Sequence, residues 1–474
     1  MHSRSVLDLT ALEQAALIRE RAISSCELTE GYLRRIERAN PALQAFVDVF
    51  ADRALRAARA VDRRTPGDGP RPTFHGVPLG IKDTDPVRFS RNRAGSRAYR
   101  RMWVPFDAPS VRALRGGGFV ILGKTATSEF AILPVVETDL HPPTVNPWAL
   151  SVTAGGSSGG AAAAVASGLL PIAHAADGGG SIRIPAAFCG LFGFKASRGL
   201  TPDFYAAMEP LGISVTGAVT HSVDDCAAFL DVLCGQATHP PAPASLLVRS
   251  RGAAPQRRTI GLWLRSIEGE VDPEIAATVE ETARALAAMG HTIKPIAPVE
   301  GSVDEFLPLF QRLSAGPPTL GEGSLQPVTR WLREAGRKVS LETARALRDT
   351  IARRVLAWFG ELDFVLSPTV GRAPPRVGEL ARDTPEAQFK AAAELGLFTA
   401  IFNVSGQPSA SVPVGLSGAG LPIGAMITGR QGDDVALLQL CRALEEARPW
   451  RARRAPLARE LAAGDAAHSG GSKL

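Results

Sequence analysis

The residues best suited to chemistry are two serines set among glycines and one lysine behind an apolar run. The segment TAGGSSGGAAAAVASG, residues 153–168, passes from Gly/Ser into an alanine-rich stretch of helical character. Glycines ahead of a helix N-terminus let backbone N–H groups approach a ligand closely; a flexible Gly/Ser linker is the plain alternative. A second cluster, AADGGGSIRIPAAFCG at 175–190, sets three glycines directly before Ser181. Such a run exposes several N–H groups beside a hydroxyl, the chemistry of a nucleophile next to an oxyanion hole. An isolated GGG is more often a tight turn.

A serine nucleophile needs a base. The eight histidines, His2, His75, His141, His174, His221, His239, His291 and His468, fall in no G-x-S-x-G elbow or other Ser-His-Asp signature. A buried lysine can replace histidine, because desolvation lowers its pKa and frees the neutral amine. Lys82 follows GVPLGI, a strand-like run that should bury its end; most lysines in such a place are on the surface. GFVILGKT at 118–125 matches the phosphate-loop pattern in form only. Its variable positions, Phe119, Val120, Ile121 and Leu122, belong in a buried strand. No HExxH or His/Asp/Glu cluster at ligand spacing appears, so neither metal nor cofactor is expected.

These groups need elements to hold them. Residues 8–62 read as helices, with a second helix starting near Thr29 and Glu30 and a break at Asn40-Pro41. From Gly76 onward short apolar runs (77–81, 119–122, 170–174) alternate with helical stretches (110–115, 161–167), the texture of an α/β layer architecture. Residues 238–256, with four prolines, read as a linker. Residues 259–264 read as a strand, and 273–289 as a helix capped by Asp272 and stopped at Gly290. Residues 303–358 are mostly helical, interrupted at 315–327, and strand-and-loop texture returns from Phe364.

The chain of 474 residues is 45% apolar and 21% charged, ordinary for a globular protein. The net charge of +6 comes from 53 basic and 47 acidic residues, and no block of five like charges occurs, so nucleic acid is not an expected partner. Five scattered cysteines without a CxxC pair argue against a disulfide framework and fit a reducing cytoplasm. No signal-peptide h-region and no run of eighteen apolar residues is present, so no membrane association is expected. Ser472-Lys473-Leu474 matches a peroxisomal address, with a chance tripeptide the plainer explanation.

Taken together, the chain resembles the amidase signature family. The likeness runs through GVPLGIKD (76–83), GGFVILGKTATSEFA (117–131), TVNPW (144–148), GGSSGG (155–160) and DGGGSIRIPAAFCGLFGFK (177–195). It continues in LSPTV (366–370), FNVSGQPSASVPVG (402–415) and LPIGAMITGR (421–430), in the family's order. The resemblance implies an α/β fold, a large twisted mixed sheet covered by helices on both faces, as one domain over 1–474. Within it the N-terminal part to about 65 is helical, the core covers 66–237 and 361–460, and a variable substrate-lid insertion lies at about 300–360.

The resemblance also implies roles: Lys82 as base, Ser157 as proton relay after a cis Gly156–Ser157 bond, and Ser181 as nucleophile. The N–H groups of Gly178, Gly179, Gly180 and Ser181 would form the oxyanion hole, with Asp177 and Arg183 holding the loop. Three features depart from the family: Gly178 where threonine or isoleucine is usual, Ala218 where proline is usual, and FKAS at 194–197 for the common LKPT. The implied activity is hydrolysis of small amides, carbamates or esters through an acyl-enzyme, in a monomer or homodimer. A glutaminase-type amidotransferase subunit and a catalytically dead binding protein are the alternatives. The substrate is expected to be neutral and apolar or aryl. Phe306, Leu309, Phe310 and Leu313 form one helix face, Trp331, Trp358 and Phe359 add aromatic surface, and the Gly/Pro-rich segment 314–327 could act as a lid. Equally, that face could simply pack on the core.

Overall fold

The computed structural model describes residues 5–64, 69–204, 209–319 and 321–468. Its centre is a sheet of eleven strands: β1 (Phe46–Val49), β2 (Pro78–Lys82), β3 (Val120–Thr125), β4 (Ile172–Asp177), β5 (Phe192–Lys195), β6 (Val215–Thr220), β7 (Thr259–Leu262), β8 (Thr292–Pro295), β9 (Phe364–Pro368), β10 (Ser409–Leu416) and β11 (Pro422–Gly429). They lie in the order β1-β3-β2-β4-β6-β5-β10-β11-β9-β7-β8. The β3-β2-β4 and β9-β7-β8 pairs are parallel and the rest antiparallel, so the sheet is mixed as expected.

Successive strand residues supply opposite faces, as the two-residue repeat demands. Along β3, Ile121 joins one apolar cluster while Val120 and Leu122 join another. The first cluster is closed by helices α7 (Val223–Leu233), α9 (Pro273–Ala288) and α15 (Asp434–Ala447). The other face is closed by α2 (Ser25–Leu43), α3 (Ala51–Asp62) and α5 (Gly159–Ala166) over one half of the sheet. Over the other half it is closed by α10 (Val303–Ser314), α12 (Leu341–Phe359) and α14 (Ile401–Ser405). The α/β/α layering is therefore as the sequence implied.

Several local expectations need correction. The second helix starts at Ser25, because Ser24 and Glu27 form a reciprocal capping box. It runs through Pro41 to Leu43, where the proline sits in the last turn and costs only one intrahelical bond. Residues 46–49 are not helical: Asn40 binds the N–H and C=O of Phe46 through its side chain and launches β1 against β3. The 238–256 stretch contains α8 (Leu246–Ser250), whose first N–H groups are taken by Asp231 and Ser245. Beyond 364 the chain is also partly helical, with α13 (Pro385–Ala393) and α16 (Pro456–His468) besides α14 and α15. The 259–264 strand ends at Leu262, and α9 starts at the Asp272 cap. Ser472, Lys473 and Leu474 lie outside the described residues. Among the described residues no helix is long and apolar enough to cross a membrane, and the five cysteines are free.

Candidate active site

Lys82 is the last residue of β2, an interior strand of the sheet, and is fully buried. Its Nζ donates to Ser157 Oγ at 2.7 Å and to the Ala176 carbonyl at 3.4 Å. Burial pulls its pKa from the usual lysine range to about 7, while the negative charges of Asp85 and Asp177 push back upward. A neutral amine this close to a hydroxyl can take its proton.

Ser157 stands just ahead of α5, and the Gly156–Ser157 peptide is cis. A side chain at Gly156 would press on the Val135 backbone nitrogen, 2.7 Å from the position of its Cβ, so only glycine fits. Ser158 Oγ is tied to the Ala176 backbone. This fixes the start of α5 against the end of β4.

The Ser181 loop leaves β4 at Asp177 and enters α6 (Arg183–Cys189). Asp177 is its anchor. Its carboxylate accepts the Gly180 N–H at 2.6 Å, the Ile182 N–H at 3.2 Å and two Arg183 guanidinium donors at 2.9 and 3.0 Å. Burial alone would raise the Asp177 pKa, but the Arg183 charge and hydrogen bonds outweigh it and hold the carboxyl well below the usual carboxylate range. Asn403 donates to both the carboxylate and the carbonyl of Asp177 and accepts from Arg183. Thr399 donates to the Gly179 carbonyl and accepts Arg183 through its own carbonyl. The Gly180 N–H is thus committed to Asp177, whereas those of Gly178, Gly179 and Ser181 have no hydrogen-bond partner among the described residues.

Lys82, Ser157, Ser181, Gly178 and Gly179 all line one cavity of about 620 Å³. Its walls are largely apolar, with Met102, Trp103, Phe130, Ile132 and Leu133 from the chain ahead of α5 and Phe306, Phe310, Leu313, Phe389 and Ile401 from α10, α13 and α14. The expected helix face divides. Phe306, Phe310 and Leu313 reach the cavity, but Leu309 is buried in the core. The expected aromatic surface does not form there: Trp331 packs on Phe389, Trp358 packs on Trp263, and Phe359 is buried. From the 314–327 segment, Ser314, Pro317 and Pro318 line the cavity, and Tyr99 donates to the Pro318 carbonyl.

The segment resembling a phosphate loop is β3, buried throughout, with Lys124 paired to Asp83 at 3.3 Å. Among the described residues no group of three or more His, Cys, Asp or Glu could hold a metal. Four contributors escaped the sequence reading: Thr399, Asn403, Asp85 and His174, whose Nδ1 accepts the backbone N–H of Lys82 at 3.3 Å. Asn403 lies within FNVSGQPSASVPVG, so that block carried a signal; the other three carried none.

This fold and the chain's sequence define an amide-bond hydrolase. The chain belongs to the amidase family, whose model matches residues 27–438. It is 35% identical over 476 aligned positions to "Putative amidase AmiC" of Mycobacterium tuberculosis, covering 95% of this chain and 96% of that one. A 6-aminohexanoate cyclic dimer hydrolase, solved in complex with its substrate, superposes with a TM-score of 0.85 at 30% identity, over 95% of this chain and 99% of the other. A bacterial aryl acylamidase of the amidase signature enzymes gives 0.82 at 27% identity, over 96% and 98%.

Proposed function

We propose that the chain hydrolyses uncharged apolar or aryl amides through an acyl-enzyme on Ser181. The observation that carries this reading is the 2.7 Å contact of the buried Lys82 amine with Ser157, both lining an apolar cavity that Ser181 also lines. Neutral Lys82 takes the Ser157 proton as Ser157 takes that of Ser181. Ser181 attacks the carbonyl carbon, and the oxyanion forms against the N–H groups of Gly178, Gly179 and Ser181. Gly180 contributes by holding the loop to Asp177 rather than by donating. Ser157 then protonates the departing amine and recovers its proton from Lys82. Water, activated by the same pair, releases the acid.

The cavity walls support the substrate class, since apolar surface rewards an aryl or alkyl group and offers little to a small polar amide. Two similar structures, an aryl acylamidase and a 6-aminohexanoate cyclic dimer hydrolase, support the same class. The test is a screen of the purified chain, without partner proteins, over anilides, alkyl amides, carbamates, aryl esters and glutamine. The expected order of kcat/KM places anilides and aryl carbamates above acetamide. Preference for glutamine would instead favour an amidotransferase subunit. Activity should rise through about pH 7, as Lys82 loses its proton.

A further inference from the structure

Large aromatic side chains in water cost hydrophobic free energy until something covers them. In this chain the exposed ones gather in one place. Among the described residues, the exposed phenylalanines and tryptophans are Phe89, Trp103 and Phe106, at 60%, 55% and 56%. All three stand on or beside a short antiparallel pair, Ser90–Arg91 against Trp103–Val104. Trp103 and Phe106 also line the cavity that Ser181 lines. The apolar lining of the active site therefore does not end inside the protein. It includes two rings that are more than half open to solvent.

These rings have a firm support. Phe89 packs on Trp103, with ring centroids 5.8 Å apart. The Phe89 N–H donates to the Val104 carbonyl at 2.7 Å, and the Asn92 N–H to the Met102 carbonyl at 3.0 Å. Arg53 of α3 donates to the carbonyls of Arg88 and Phe89 at 2.8 and 3.1 Å, bracing the strand that backs the indole. Groups already held in place lose little freedom when a ligand covers them.

We propose that Trp103 and Phe106 form an outer subsite, which binds the distal aryl or alkyl end of an elongated amide whose carbonyl sits at Ser181. The proposal rests on the reading of Ser181 as nucleophile and of the substrate as apolar. A small amide leaves both rings wet. A longer apolar substrate covers them, and the area removed from water adds to its binding.

A second copy of the chain fits this patch less well. Arg88, Arg91, Arg97, Arg100 and Arg101 are exposed on the same segment, and residues 86–106 contain no aspartate or glutamate. Arg91 is the cross-strand partner of Trp103, so charge stands beside the ring. A two-fold contact sets a patch against itself and would bring these guanidinium groups toward one another. An uncharged substrate tail meets no such repulsion.

The test uses two series of anilides, one lengthened methylene by methylene on the acyl side and one at the para position of the aniline. In wild type, kcat/KM should rise along one series by about twofold per methylene once the tail reaches the rings. This is half of full burial in energy, because one side of the tail stays wet. The gain should lie in KM, as for an interaction equal in ground and transition states. In Trp103→Ala, and again in Phe106→Ala, the ratio of kcat/KM between the longest and the shortest member should fall by about tenfold. Trp103→Phe should restore most of it.

Turnover of the short anilides with no gain from lengthening in either series would overturn the outer subsite alone. So would a variant that lowers every member alike, which marks a structural role. A dimer at assay concentration that dissociates in both alanine variants would assign the patch to a second copy and overturn the proposal. Binding to anionic phospholipid vesicles that both variants lose, with the length dependence unchanged, would assign it to a lipid surface and overturn the proposal as well. No anilide turnover by wild type, with Ser181 unlabelled by a fluorophosphonate, would overturn the reading of the site itself.

Discussion

Asp177→Asn should both destabilise the chain and silence Ser181. In the wild type, Oδ2 of Asp177 receives the Ile182 N–H and the Arg183 Nε–H, while Oδ1 receives Gly180, Arg183 and Asn403. An amide keeps an acceptor on one side only. On the other it opposes donor to donor, and it leaves the buried Arg183 guanidinium without its counter-charge. Breaking a buried pair in this way costs about 3–5 kcal/mol. Unfolding entropy near 2.1 cal/mol/K per residue amounts to about 1 kcal/mol/K for a chain of this length, so the midpoint should fall by about 3–5 °C. Because the folded carboxyl titrates far below the unfolded one, the wild-type advantage is full above about pH 5 and fades only in strong acid. Released from Asp177, the Gly180 N–H lets the loop relax, and displacing even one oxyanion donor lowers kcat by about 10²–10³. Thermal melts at pH 7 and fluorophosphonate labelling of Ser181 well below the midpoint measure the two effects separately. A variant with the wild-type midpoint, or a folded variant that labels at the wild-type rate, would refute the view that this carboxylate shapes the nucleophile loop.

Ser181→Ala should abolish turnover with an unchanged melt, and Ser157→Ala should cost less, since a water can bridge part of the gap; a tenth of wild-type rate in Ser181→Ala would remove Ser181 from its role. Phe310→Ala removes a ring that stands against Gly179 and the cavity; kcat/KM for anilides should fall by about tenfold, an aromatic contact plus its buried area, with acetamide changed less than about twofold. Gly160→Ala should lower the melting midpoint, because its Cβ would overlap the backbone of Ala126 and Ala45, which cannot yield as a side chain would; overpacking of this kind costs about 1–3 kcal/mol.

What the sequence made legible is what depends on local composition. The Gly/Ser blocks and the apolar run before Lys82 each carry their chemistry within a few neighbouring residues. The supports of the site do not. His174 meets Lys82 across 92 positions, and Asn403 meets Asp177 across 226, so no spacing rule brings them together. The helix start at Ser25 is marked in sequence by the capping box of Ser24 and Glu27, but the apolar periodicity begins later and outweighs it. The face of α10 shows a subtler limit. Periodicity places Phe306, Leu309, Phe310 and Leu313 on one stripe, and they do share it. A stripe at least 100° wide can meet two environments at once. Here α10 lies between the core and the cavity, so Leu309 packs inward while its neighbours face the substrate space. The same helix is therefore both wall and scaffold, and residues chosen to reshape the cavity must be judged by their effect on stability as well as on selectivity.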